Sequence, residues 1–388
     1  MRHTRFALAA AACAILAACG GNDSGPGGEP PADRFTRQVT FGDSLSDVGT
    51  YAVGAVKQQG GGKFTINGDS RAIDTALTGQ IWVDVLASQF GLPVPCAAQT
   101  GLQGSAALGF SVSVQNHANC YNYAQGGARI TNPIGPQNAA TGSALGALTV
   151  PVATQVANHL VKSGGKFSGT EIVLVLAGAN DAFVLLDELR AGAAAAAAAA
   201  AATGGPAAGA QAAAGHVAAN GPAVISRMGV AGSELAAIVN TQIVDKGAAH
   251  VVVGNLPDLG TIPALRPLDA ATAQVVGKMV DAFNGALKSG LGGGTRILQV
   301  DLRSFTRDQV ANPARHGLTN TTAPACGANA LGASSLVCTA NNLAAPNVAR
   351  YMFSDYAHPT PFEHALIARY VSDQIAAQGW RRAAREGA

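Results

Sequence analysis

Residues 41–49 read FGDSLSDVG, and residues 355–359 read Asp-Tyr-Ala-His-Pro. Ser44 sits on a sharp turn directly after a short apolar strand. Asp355 and His358, three residues apart, stand just before the last expected helix. A serine hydroxyl is a weak nucleophile until a base within hydrogen-bond reach takes its proton. A histidine is such a base, and an aspartate can hold its imidazole in the right tautomer and stabilise the imidazolium that forms. Ser44, Asp355 and His358 therefore supply the three groups of a nucleophilic hydrolase, provided that the fold brings them together. Each has a plainer reading beside this one. Ser44 would serve as a helix N-cap, and His358-Pro359 as an ordinary helix entry. Asp43 and Asp47 read as braces of the turn, and His216, His250 and His364 as structural residues.

The elements that must position these groups follow from hydrophobic patterning. Residues 171–177, Glu-Ile-Val-Leu-Val-Leu-Ala, form a continuous run rich in β-branched residues. Such a run marks a strand buried on both faces of a parallel sheet. Residues 249–254 and 296–300 repeat it, and 37–42 form a shorter strand ahead of Ser44. Apolar residues at helical spacing place helices at 79–90, 151–163, about 222–246, 269–289 and 361–378, while 91–119 read as irregular structure or short hairpins. Alternating strands and helices predict a three-layer α/β/α sandwich with a mainly parallel central sheet. Loops at the carboxyl ends of such strands are where sites form, which suits both fragments.

Four segments resemble the GDSL, or SGNH, hydrolases, a family of esterases, lipases and related acyl hydrolases. They are Gly42-Asp43-Ser44-Leu45, Asn122-Tyr123-Ala124-Gln125-Gly126-Gly127-Ala128, Gly178-Ala179-Asn180-Asp181, and Asp355-Tyr356-Ala357-His358-Pro359. Residues 255–260, Asn-Leu-Pro-Asp-Leu-Gly, resemble a further stretch of the secreted bacterial and plant branch. The match runs from residue 37 onward and implies a flavodoxin-like SGNH fold. It implies Ser44, Asp355 and His358 as catalytic triad, with the N–H groups of Ser44 and Gly126 and the amide of Asn180 as oxyanion hole. Gly127 is the neighbouring alternative to Gly126. The first block departs from the family in having Thr50 where Asn often follows the glycine. The expected reaction is hydrolysis of carboxylic, fatty-acyl esters through an acyl-enzyme, without metal or organic cofactor. A phospholipase or lipid acyltransferase would use the same triad, and a non-catalytic surface lipoprotein is the reading from another class.

Composition limits the partners. The chain has 388 residues, 48% hydrophobic and only 12% charged, with a formal charge of +2 and no basic cluster in its body. This does not suggest nucleic acid as a partner. Residues 6–18 are an apolar run behind Arg2 and Arg5, the pattern of a signal peptide over 1–18. Leu16-Ala17-Ala18-Cys19-Gly20 resembles a bacterial lipobox, so Cys19 is the expected lipidation site. The Gly, Pro and small polar residues of 19–34 read as a flexible linker. With Gly20 after the cysteine, the expected location is the outer membrane of a Gram-negative bacterium, or else a periplasmic or secreted form. One helix and a basic tail (Arg381, Arg382, Arg385) follow His358, so an autotransporter barrel is not expected.

Beyond Cys13 and Cys19, four cysteines remain: Cys96, Cys120, Cys326 and Cys338. In an exported chain an even number suggests disulfides. Of three possible pairings the sequential one closes two local loops and is preferred. A zinc site lacks a CxxC spacing and has only His117 nearby. Residues 191–219 are of low complexity, with ten consecutive alanines from Ala193. They read as an extension of a helix starting near Asp181, then a surface insertion broken by Gly and Pro. A mobile lid is the alternative. The hydrolase domain is expected over 35–388.

Overall fold

A computed structural model describes residues 35–380. The signal segment, Cys19, the linker and the basic tail expected from the sequence lie outside those residues. In chain order the strands and helices are β1 (Gln38–Gly42), α1 (Gly54–Gln58), α2 (Trp82–Gln89), β2 (Gln99–Gln103), β3 (Ser111–Asn116), α3 (Val152–Lys162) and β4 (Ile172–Leu176). They continue as α4 (Ala179–Ile238), β5 (His250–Gly254), α5 (Ala270–Leu291), β6 (Ile297–Val300), α6 (Leu302–Ala311), β7 (Asn320–Pro324), β8 (Tyr351–Phe353) and α7 (Pro361–Ala377). The central sheet is parallel throughout in the order β1-β4-β5-β6. β2 and β3 form a separate antiparallel pair within the stretch expected to be irregular or hairpin-like.

Side chains alternate across a strand, so a strand covered on both faces must be apolar at every position. β4 shows this directly. Val173 and Val175 point into one core with Val156 of α3, Leu185 and Met228 of α4, and Phe283 of α5. Ile172, Leu174 and Leu176 point into another with Trp82 and Leu86 of α2 and Ile367, Val371 and Ile375 of α7. The protein is therefore the three-layer α/β/α sandwich that the alternating pattern predicts. Side-chain caps set several helix starts: Asp269 accepts from the Thr272 N–H, Asp301 from the Ser304 N–H, and Thr360 from the Glu363 N–H. Pro361 at the first helical position of α7 needs no donor there.

Residues 121–123 extend the sheet beyond β1. The Thr40 N–H donates to the Tyr121 carbonyl (3.0 Å), and the Tyr123 N–H to the Thr40 carbonyl (2.8 Å). The disulfide Cys96–Cys120 ties this edge segment to the chain before β2, and Cys326–Cys338 closes a loop before β8. Both are the sequential pairing.

The alanine-rich stretch extends the helix that starts near Asp181, and the Gly/Pro break falls at Gly205-Pro206. α4 continues unbroken to residue 204, reverses at Gly205 (φ 75°, ψ −178°), and returns as a second helical arm from Pro206. A backbone of that φ strains any residue with a Cβ, and Pro is well placed at a first helical position, so Gly205-Pro206 makes the turn. Arg227 pairs with Glu188 across the arms. Glu234, which accepts from Thr131 (2.9 Å), has come back to the level of Asp181. The first arm, from Asp181 to Gly204, is roughly 36 Å long at 1.5 Å per residue. α5 packs along the inner half through Gly221, Gly232 and Phe283. Among the described residues no helix is long and apolar enough to cross a membrane.

Candidate active site

Four segments converge at the carboxyl edge of the sheet because each leaves the end of an adjacent element. Ser44 follows β1, Asn180 follows β4, and the Gly126–Gly127 pair follows the edge segment 121–123. Asp355 and His358 lie between β8 and α7. Ser44 Oγ is 2.9 Å from His358 Nε2. His358 Nδ1 lies 2.9 Å from Asp355 Oδ2 and 3.0 Å from Oδ1. Since the carboxylate accepts at Nδ1, that nitrogen carries the proton, and Nε2 is left to accept from the serine hydroxyl. Sequence separation alone hid this contact; the parallel sheet makes it.

Asp355 also accepts from the N–H groups of Ala357 (2.9 Å), His358 (2.8 Å) and Ser335 (2.8 Å). Burial by itself would raise its pKa. The neighbouring His358 and these donors more than offset burial and hold the carboxyl well below the usual carboxylate range. Burial would likewise lower the His358 pKa, but the facing Asp355 carboxylate outweighs it and the pKa is raised. The Phe64 ring packs against the imidazole with centroids 4.8 Å apart. The loop itself is tied at its base, where the Ser354 N–H donates to the His358 carbonyl and Ser354 and Thr65 hydroxyls both donate to the Pro359 carbonyl.

The donors that face Ser44 require one correction to the sequence reading. Gly126 is not placed to serve as an oxyanion donor, because its N–H already donates to Asp47 Oδ2 at 2.9 Å. Its lack of a side chain answers to packing instead: a Cβ there would lie 2.3 Å from the Phe64 ring. Gly127 lines the same cleft as Ser44, Asn180 and His358. Neither its N–H nor that of Ser44 is taken by another group among the described residues. Asn180 gives one amide hydrogen to the Ala128 carbonyl (2.9 Å), which orients the other toward the cleft. Ser44, Gly127 and Asn180 thus form the available donor set.

Asp43 and Asp47 brace the turn, as their spacing suggests. Asp47 Oδ1 accepts from Gly49 (2.9 Å) and Thr50 (2.7 Å), and its Oδ2 joins this turn to Gly126. Asp43 accepts from the Leu45 N–H (3.1 Å). Burial pushes the two carboxyls up to about 7 and about 6, respectively. Asp181 joins α4 to the glycine-bearing segment through Arg129 (2.9 Å) and the Ile130 N–H (3.0 Å). Sequence reasoning missed Gln155 of α3, whose amide accepts from the Gly42 N–H and donates to the Gly42 carbonyl, both at 2.8 Å. A lone amide between Val152 and Val156 on an apolar helix face was its only sequence signal. Ser335, which braces Asp355 through its backbone, left no signal at all. His250 is buried against Phe35 and Trp380, and His364 is buried with its pKa lowered to about 3 by desolvation.

Two clefts meet at Ser44, Asn180, Phe183, Ala357 and His358. One is a narrow cleft of about 70 Å³ walled chiefly by apolar groups, among them Trp82, Leu176, Ile262, Leu302, Met352 and Ile367. The other, about 360 Å³, carries more polar groups, including Gln137, Ser334 and Tyr356. No residue of α4 beyond Phe183 lines either cleft, which removes the support for a lid. Among the described residues no group of His, Cys, Asp and Glu is arranged to hold a metal ion.

An α/β sandwich with a serine, histidine and aspartate joined at the carboxyl edge of its parallel sheet belongs to the broad class of folds that present a nucleophile on a strand-end turn. Within that class the family is defined: the model for the GDSL-like lipase/acylhydrolases matches residues 39–371, and the chain belongs to that family. It is 31% identical over 140 residues to Esterase EstA of Pseudomonas aeruginosa, covering 34% of this chain and 20% of EstA. It is 27% identical over 139 residues to GDSL esterase/lipase APG of Arabidopsis thaliana, covering 33% and 39% of the two chains. The matched regions are thus well under half of these relatives. Among solved structures, an extracellular lipase from Streptomyces rimosus aligns over 87% of this chain and 99% of its own, with 15% identity and a TM-score of 0.36.

Proposed function

We propose that this protein is an exported serine esterase or lipase that cleaves carboxylic esters of fatty acids through an acyl-enzyme. The observation that carries the reading is the unbroken hydrogen-bond chain from Ser44 through His358 to Asp355, opening onto an apolar cleft beside three donors. Ser44 Oγ attacks the ester carbonyl carbon while His358 Nε2 takes its proton. The oxyanion sits against the Ser44 and Gly127 N–H groups and the Asn180 amide. His358 returns the proton to the departing alkoxide, and Asp355 stabilises the imidazolium in between. Water then repeats the attack on the acyl-serine. The acyl chain takes the apolar cleft and the alcohol leaves by the more polar one.

Export is supported by the two disulfides, which persist in oxidising compartments, and by the apolar segment ahead of Cys19. Membrane attachment through lipidated Cys19 belongs to the same proposal. Labelling with a fluorophosphonate probe tests the chemistry: the wild type takes the label and Ser44→Ala does not. Equal labelling of the two proteins sinks it. Release of fatty acid from phospholipid faster than from simple esters would redirect the reading to a phospholipase. Cys19→Ser should move the protein out of the membrane fraction, and unchanged partitioning removes the anchor.

A further inference from the structure

The wider cleft carries polar groups that the Ser44–His358–Asp355 chain does not use. Gln137 is the clearest of them. Its backbone lies in the left-handed region (φ 65°), which glycine adopts freely and a residue with a Cβ adopts only at a cost. The loop nevertheless holds it there. The Gln137 carbonyl accepts from the Ala147 N–H at 2.8 Å, and the next side chain, Asn138, donates to Thr149 Oγ1 at 2.8 Å. The Gln137 side chain gains nothing from the protein in return. It is exposed and makes no hydrogen bond among the described residues, yet it lines the cleft with Ser44, Gly127 and His358. Its segment also lies against the oxyanion donors, since a Cβ on Gly127 would stand 2.5 Å from the Pro136 carbonyl oxygen.

Two hydroxyls complete the polar side of this cleft. Tyr356, 55% exposed, stands two residues before His358. Ser334 precedes the Ser335 whose N–H braces Asp355, and its Oγ accepts from the Leu336 N–H (3.3 Å), which leaves its hydrogen to donate. Among the described residues no Lys or Arg lines the cleft. Neutral donors and acceptors without a cation suit a ligand bearing hydroxyls rather than one bearing a phosphate. This is also the cleft by which the alcohol leaves, beside the His358 nitrogen that returns its proton. We propose that Gln137 selects the alcohol: its amide hydrogen-bonds a further hydroxyl of a polyhydric alcohol, with Tyr356 and Ser334 as neighbouring partners. The substrate class is therefore esters of neutral polyols, in preference to simple alkyl esters or phospholipids. This rests on Ser44 being the nucleophile, as proposed above, and on the alcohol lying in this cleft.

The test uses the full chain and butyryl esters of three related alcohols: propyl butyrate, glyceryl monobutyrate and the monobutyryl ester of glycerophosphocholine. The reading is the ratio of kcat/KM for the glyceryl ester to that for the propyl ester, compared between wild type and Gln137→Gly. The inherent reactivity of the two esters cancels in that comparison. The wild-type ratio should exceed the variant's by about fivefold to tenfold, the size of one hydrogen bond. Gln137→Gly removes the amide and relieves the left-handed backbone, so the variant should melt no lower than wild type. The glycerophosphocholine ester should be a poorer substrate than the glyceryl ester for the wild type. Equal ratios in the two proteins overturn the proposal, including the case where the variant loses rate on both esters alike, as a purely structural role would give. A wild type that prefers the glycerophosphocholine ester overturns it too. Fluorophosphonate labelling separates the two levels. A wild type that labels but shares the variant's ratio refutes this inference alone, and one that neither labels nor hydrolyses any ester refutes the serine-hydrolase reading beneath it.

Discussion

Replacing Asn180 by Ala probes the oxyanion site directly. The side chain is 6% exposed and has two amide hydrogens, of which one is committed to the Ala128 carbonyl. The other is a side-chain donor in the cleft that Ser44 lines, alongside two backbone N–H groups. Removing one preorganised donor of this kind raises the barrier by about 2.7–4 kcal/mol, equivalent to a 10²–10³-fold fall in kcat. Because the interaction strengthens as the carbonyl oxygen becomes an oxyanion, KM should move little. A stability loss follows separately, since the Ala128 carbonyl loses a partner in a buried setting, about 1–3 kcal/mol. Steady-state hydrolysis of a soluble ester and a urea unfolding curve read the two effects independently. Asn180→Asp keeps the shape, substitutes acceptors for the donors, and should be at least as impaired. A fall in kcat below tenfold in a variant shown to be folded would refute the assignment of Asn180 to the oxyanion site.

Three further outcomes follow from the same geometry. Protonated His358 cannot take the serine proton, so kcat/KM should fall as pH drops through its raised pKa, on a limb lying above the ordinary histidine value of about 6.5. The Asp43 carboxylate contributes to that elevation, so Asp43→Asn should move the limb to lower pH; an unmoved limb in the pH–rate profile would count against the coupling. Glu363 binds its proton more tightly folded (about 8) than at its ordinary value of 4.5, so its contribution favours folding below pH 4.5 and is lost progressively as pH rises to about 8. Glu363→Gln should therefore gain stability over wild type across that interval, by several kcal/mol at most, and parallel melting curves at both ends would contradict the buried-acid description. Replacing Cys326 and Cys338 by Ser should lower stability by about 3 kcal/mol and reduce kcat as well, because the closed loop presents the Ser335 N–H to Asp355. A purely thermal effect with unchanged kcat would separate the disulfide from the site.

Much of this was legible in the chain itself. The run at 172–176 is apolar at every position, and 250–254 carries three consecutive valines and is buried throughout, because both faces of the sheet are covered; such runs leave little choice of element. Ser44, Asn180 and the Asp355–His358 pair were marked by residue type and by their place at element ends. What the sequence could not decide were contacts between elements. Gly126 and Gly127 are chemically identical neighbours, and only the carboxylate of Asp47, 79 residues away in sequence from its partner, commits one N–H and leaves the other free. The alanine stretch has strong helix propensity but no strong apolar face, so its course depended on one reversal at Gly205 and on the α5 surface against which its inner half packs. Glu363 reads in sequence as an acid on the first turn of a helix, an ordinary and favourable place. Only the packing of α7 turns it into a buried carboxyl paired with Gln309. Local patterning thus determined the elements and named the reactive groups. Tertiary structure decided which groups are already paired and which remain free, because hydrogen-bond occupancy and burial depend on neighbours from distant parts of the chain.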